Sequence, residues 1–203
     1  MFIQVIESTT SDPEALHRRL EIWERDLMPG ATGYEGSTGG VTEAGDCILI
    51  ARFESEQAAR RNSARPEQSA WWEETARCFD GPVRFHESTD VQVMRAGGSD
   101  DAHFVQVMEG HVSDAKRAHE IEQESEGALS QARPDLIGTI TAYFDDGEFT
   151  SVAYFTSEEE ARRNEHAEMP PEMAAAFSEW ESVMKIDRFL DLTEPWMVSA
   201  RSR

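Results

Sequence analysis

The sequence predicts an α+β protein made of two tandem copies of one βαββαβ unit, and three observations carry that prediction. Phe53–Asn62 reads FESEQAARRN, and Phe155–Asn164, 102 positions later, reads FTSEEEARRN. Phe2–Glu7 (FIQVIE) returns at the same offset as Phe104–Glu109 (FVQVME), with Phe, Gln, Val and Glu in identical places. Between these landmarks, apolar runs of strand length and stretches of helical spacing follow in the same order in both halves. A chain of 203 residues fits one large domain or two of about 100, and the repetition decides for two.

In the first copy, Phe2–Glu7 reads as a strand and Thr9–Asp12 as a turn. A helix is expected from about Pro13 to Leu27, because Leu16, Leu20, Trp23 and Leu27 recur at helical spacing and Pro13 is tolerated in a first turn. Pro29-Gly30 ends it. The Gly- and Thr-rich stretch 31–43 and the run Cys47–Phe53 read as a hairpin turning at Gly45. Ser55 is a good N-cap followed by acidic residues, so a second helix starts there, breaks at Pro66 and resumes to about Phe79. Arg60, Arg61 and Asn62 end its first part, where cations offset the carbonyl end, and read as a solvated terminus. Asp80-Gly81-Pro82 turns the chain into a last strand, Val83–Met94, broken near Ser88.

Residues 95–102 have linker composition, after which the pattern restarts. The predicted organisation is a first repeat over 1–94, a linker over 95–102 and a second repeat over 103–203. In the second copy Ser157 and Glu160 have capping-box spacing, Gly147 answers Gly45, and the second helix is split at Pro170-Pro171. Its first helix carries a thinner apolar stripe of Ala118, Ile121, Ser125 and Ala128 or Leu129, so at most one repeat is expected to hold a competent pocket. Each unit is a ferredoxin-like fold. Its strands are apolar on both sides, since Ile3 and Val5 alternate with Phe2 and Ile6, so both sheet faces must be covered. The sister copy is the nearest cover: the expectation is two sheets packed face to face as one barrel, an intrachain pseudo-dimer, with a further homodimer as an open alternative.

Composition narrows the partners. Forty acidic against 19 basic residues give a net charge of −21, which repels phosphate backbones and anionic lipid, so neither nucleic acid nor membrane is expected. The opening MFIQVIESTT has no basic start and turns polar early, and no apolar run approaches a membrane span, so a cytoplasmic protein is expected. Cys47 and Cys78 have neither metal nor redox spacing and read as free thiols. The six histidines show no HxH or HExxH pattern, so no metal is expected.

Pro29-Gly-Ala-Thr-Gly-Tyr34, the Phe-x-Ser-Glu strand-to-helix junction and the Pro-interrupted helix bearing Trp71-Trp72 together resemble the dimeric α+β barrel superfamily, specifically its antibiotic biosynthesis monooxygenase-like domains. The resemblance covers nearly the whole chain once per repeat and implies a fused version of a barrel usually built from two subunits. It implies a small-molecule ligand and, as activity, cofactor-independent oxygenation or isomerisation of a small aromatic. A non-catalytic ligand-binding or stress-related module is the alternative. Haem cleavage is less favoured, because Glu7 and Glu109 stand where related haem-degrading enzymes carry Asn and the Trp-rich helix lacks His.

No catalytic residue is singled out. The pocket candidates are Gln4 and Gln106, which would point between the sheets if Ile3 and Val5 face the helices, and Trp71, Trp72, Phe177 and Trp180, placed by the resemblance near a pocket mouth. His86, on the final strand, is the histidine expected to reach an interior and shuttle a proton, whereas His17 and His119 read as boundary residues.

Overall fold

The computed structural model describes residues 1–167 and 170–200. The chain forms two compact units, the first comprising residues 1–89 with the C-terminal stretch from Glu194, the second Asp90–Thr193.

In the first unit, strand β1 (Phe2–Thr9) leads to helix α1 (Pro13–Ile22), which continues through a wider turn over Trp23–Leu27. Asp12 caps α1 by accepting from the Ala15 N–H at 2.8 Å. The hairpin follows as β2 (Tyr34–Val41) and β3 (Asp46–Phe53), turning at Gly45, whose φ of +87° suits a residue without Cβ. Ser55 accepts from Ala58 N–H at 3.2 Å and starts α2 (Glu56–Ser63); Pro66 then opens α3 (Pro66–Thr75) at its first turn. Strand β4 (Arg84–Ser88) completes the unit that the sequence predicts.

The second unit takes β5 (Asp90–Arg95), β6 (Phe104–Val112), α4 (Ala115–Ala132), β7 (Leu136–Tyr143), β8 (Glu148–Phe155), α5 (Glu158–Glu165), α6 (Pro171–Val183) and β9 (Met184–Leu192). A last strand, β10 (Trp196–Ser199), returns to the first unit. Among the described residues, no helix is long and apolar enough to cross a membrane.

Both sheets are antiparallel, in the orders β10-β2-β3-β1-β4 and β5-β7-β8-β6-β9. Without their first-named strands these are the same ferredoxin-like sheet twice, which establishes the tandem α+β reading. Each sheet's fifth strand comes from beyond the predicted repeat. The predicted boundary at 94 therefore falls inside β5: Ser88 ends one sheet, and Asp90 already pairs with Tyr143 in the other. Val83–Met94 is thus two strands, and the predicted linker over 95–102 follows the crossing instead of making it.

Alternation along β1 divides the first sheet. Phe2 and Ile6 pack in clusters with Ala58, Ala59 and Leu16, so Phe2, Gln4 and Ile6 face the helices. Ile3, Val5, Ile48 and Ile50 lie on the opposite face and are buried as well. The condition under which Gln4 would point away from the helices is not met, because Ala58 and Ala59 on α2 take Phe2 as their core partner. Phe104 packs against Ala161 in the same way, which places Gln106 on the helix side too.

Candidate functional site: a cavity in the first unit

Between the helices and sheet of the first unit lies a cavity of about 450 Å³. Its size follows from residue volumes. Strand β2 offers Ser37 and Gly39 to the helix side, and a Cβ built on Gly39 would come within 2.6 Å of Leu49 Cδ2. The facing elements supply large rings instead: Trp23, Trp71 and Trp72 from the helical segments, Tyr34 and Phe53 from the strands. Small residues on one wall and aromatic ones on the others leave a ligand-sized, mainly apolar space.

Hydrogen bonds fix those rings. Trp71 Nε1 donates to the Arg19 carbonyl at 2.8 Å, Trp23 Nε1 to Gln68 Oε1 at 2.7 Å, and the Tyr34 hydroxyl to Ser37 Oγ at 2.7 Å. Trp196, delivered by β10, stacks on the His17 imidazole with centroids 4.7 Å apart and planes at 4°, and both rings line the cavity. Burial pushes the Cys47 thiol up to about 12, so it is no nucleophile at neutral pH.

Two amides supply the polar chemistry. Gln4 Nε2 donates to Glu87 Oε1 at 2.7 Å, and Glu87 is in turn gripped by Arg60, whose guanidinium sits 5.9 Å over the Phe2 ring. Asn62 is only 7 % exposed and lines the cavity. Its Oδ1 accepts from Arg65 Nη1 at 2.9 Å, and among the described residues nothing accepts from its Nδ2. An amide N–H at a cavity wall with no protein acceptor is a donor that a ligand oxygen can use. The reading of the helix end as solvated holds for Arg60, which is exposed and also braces Gln4 through Glu87, and is corrected for Asn62, whose side chain is enclosed at the cavity wall.

The corresponding place in the second unit is lined by buried polar side chains. At an offset of 102, Gly39 becomes Thr141, Leu49 becomes Ser151, Leu20 becomes Glu122 and Val41 becomes Tyr143; Gln92 stands where β10 has Trp196. Thr141 and Ser151 hydrogen-bond at 3.0 Å, the Tyr143 hydroxyl donates to Glu122 Oε1 at 3.2 Å, and Gln92 Nε2 donates to the His119 carbonyl at 3.3 Å. Desolvation raises the Glu122 pKa, an effect partly offset by the hydrogen bond from Tyr143. Asn164, the repeat of Asn62, gives its Nδ2 to Asp135 Oδ1 at 2.7 Å.

Of the residues picked from sequence, Gln4, Trp71 and Trp72 come together on the cavity. Gln106 lies in the second unit, donating at 2.9 Å to Asp191, which Arg162 holds as Arg60 holds Glu87. His86 sits on the face away from the helices, 3.6 Å from Glu7, and His17 is the histidine that lines the cavity. Phe177 is 43 % exposed and stacks on Trp180 at 6.0 Å, on α6 of the second unit. Sequence reasoning passed over Asn62, His17, Trp23, Tyr34 and Trp196. The duplicated RRN was the available signal for Asn62; nothing local marked Trp196.

No protein-family model matches the sequence, and no curated protein matches it. Among solved structures the chain is similar to a protein described as a monooxygenase from Fusobacterium nucleatum subsp. nucleatum (TM-score 0.75, 9 % identity, covering 98 % of this chain and 94 % of that one). A second, described in the same terms and from Lactobacillus acidophilus, aligns with a TM-score of 0.71 at 13 % identity over 98 % and 99 % of the two chains. An anthrone oxidase-like protein aligns with a TM-score of 0.68 at 12 % identity over 99 % and 94 %. The likeness is one of fold, an α+β architecture shared over nearly the whole length of the chain.

Proposed function

We propose that the first repeat binds a small aromatic carbonyl compound in its cavity and oxygenates it with dioxygen. The observation that carries this reading is the Asn62 amide, open on its donor side at the wall of a cavity of about 450 Å³ lined by aromatic rings. Its support from outside is the likeness to proteins described as monooxygenases and as anthrone oxidase-like.

In such a site the ligand's flat rings lie among Trp23, Trp71 and Trp72, and its carbonyl oxygen accepts from Asn62 Nδ2. His17 takes a proton from a ring methylene conjugated with that carbonyl through the flanking arenes, and the Asn62 donor stabilises the enolate oxygen that forms. The carbanion gives electrons to dioxygen, a C–O bond forms, and the hydroperoxide loses water to leave a new carbonyl. Methylene to carbonyl is a four-electron oxidation, and dioxygen takes the four electrons, placing one oxygen atom in the product and one in water.

The test is aerobic incubation of the purified chain with a panel of anthrone-like aromatics, following substrate loss, oxygen uptake and quenching of tryptophan fluorescence. Expected are saturable quenching and oxygen uptake, with affinity reduced about tenfold to a hundredfold in Asn62→Ala. Quenching without oxygen uptake would leave a binding module and remove the oxygenase; no quenching by any compound removes both.

A further inference from the structure

Glu21, Glu24 and Glu73 all line the cavity, whereas no lysine or arginine does. None of the three forms a salt bridge with a described residue. The arginines flanking these walls in sequence make their hydrogen bonds elsewhere, although Arg25 lies close enough to Glu21 to attract it. Arg19 donates to Thr75 Oγ1 at 3.3 Å and to the Trp71 carbonyl at 3.2 Å. Arg25 pairs with Asp26 at 2.7 Å, and Arg65 with Glu67 at 3.0 Å. The net charge of −21 adds a negative background.

The second repeat shows that this arrangement is particular to the first. At the positions answering Glu21 and Glu24 it has Gln123, which is neutral, and Glu126, which accepts from the Arg95 N–H at 2.9 Å. Exposed carboxylates at the mouth of an aromatic-walled cavity form an environment for a cation: ring faces attract positive charge and the carboxylates complete its neutralisation. The opposite chemistry comes from Asn62, whose cavity-lining N–H offers a donor to a ligand oxygen.

We infer that the cavity's ligand is a cationic aromatic carbonyl compound, its oxygen on Asn62 and a protonated amine at the rim formed by Glu21, Glu24 and Glu73. This rests on the reading of the cavity as a ligand site. Carboxylated aromatics are rejected by the same field, and uncharged ones bind without the rim's help.

Three probes of one skeleton separate the possibilities: 2-acetylnaphthalene bearing at its 6-position an aminomethyl, a hydroxymethyl or a carboxyl group, each titrated into the full chain by calorimetry. The amine is expected to bind about tenfold tighter than the alcohol, with the carboxylate weakest. That preference shrinks at about 0.5 M NaCl, where exposed charges are screened. It also collapses in the Glu21→Gln/Glu24→Gln/Glu73→Gln variant, whose fold is checked by thermal melting. Amine and alcohol binding equally would overturn the inference and leave the cavity reading standing. Failure of all three probes takes down the cavity reading and the inference with it.

Discussion

Glu122 occupies the position that answers Leu20, and it is 7 % exposed, with one carboxylate oxygen hydrogen-bonded to Tyr143 and the other without a partner at hydrogen-bonding geometry. Burial raises its pKa above the ordinary 4.5, so the folded state holds the proton more tightly than the unfolded chain. The stability that Glu122 lends is therefore complete below about pH 4.5 and drains away as pH climbs from there through the folded-state value. Glu122→Gln keeps an acceptor for Tyr143 and cannot ionise. Urea unfolding at about pH 5 and about pH 8 should show the variant gaining on the parent as pH rises. A gap that stays constant between the two pH values would mean that Glu122 is charged in the folded protein.

At the scale of elements, the strands and helices were largely legible because their causes are local: apolar alternation, Ser55 and Ser157 as caps, Pro66 and Pro171 at first turns. What a strand pairs with was less so. Trp196–Ser199 carries no repeat signal, and its partner β2 lies more than 150 residues earlier, with Trp196 opposite Gly39. The face on which Gln4 lies was not legible either, because Ile3 and Val5 are as apolar as Phe2 and Ile6, and burial alone does not say which side takes the helices. Asn62 was misread for a related reason: a polar residue at a helix end looks solvated until Arg65 is seen to tie it to the Leu27 carbonyl. Strand β10 supplies one cavity wall and covers the edge of β2, so a chain ending at Glu194 should lose both. Its affinity for aromatic ligands is expected to fall about tenfold or more, and β2 amides to exchange faster while those of β6 and β8 keep their protection. Unchanged affinity would show that Trp196 is decoration on a site closed by other residues.

For the molecule as a whole, duplication has preserved a frame and divided its use. Gln4–Glu87–Arg60 and Gln106–Asp191–Arg162 brace the two sheets identically, each arginine lying over the first-strand phenylalanine. The interiors have diverged: Gly39 and Leu49 against Thr141 and Ser151, Trp196 against Gln92, a donor-side amide open on Asn62 and closed on Asn164. A polar interior linked by its own hydrogen bonds has little to gain from an apolar ligand, since entry would break those bonds without replacing them. Titration of the full chain should therefore give one ligand per chain, not two. Asn164→Ala is expected to keep that stoichiometry and affinity while costing roughly 1–2 kcal/mol of stability, because the buried Asp135 loses a donor and keeps Arg133. Asn62→Ala should do the reverse, with binding lost and the melting temperature nearly held. Two ligands per chain, or equal effects of the two substitutions on binding, would show that the repeats have kept one function between them and that the hydroxyl-lined interior opens in solution.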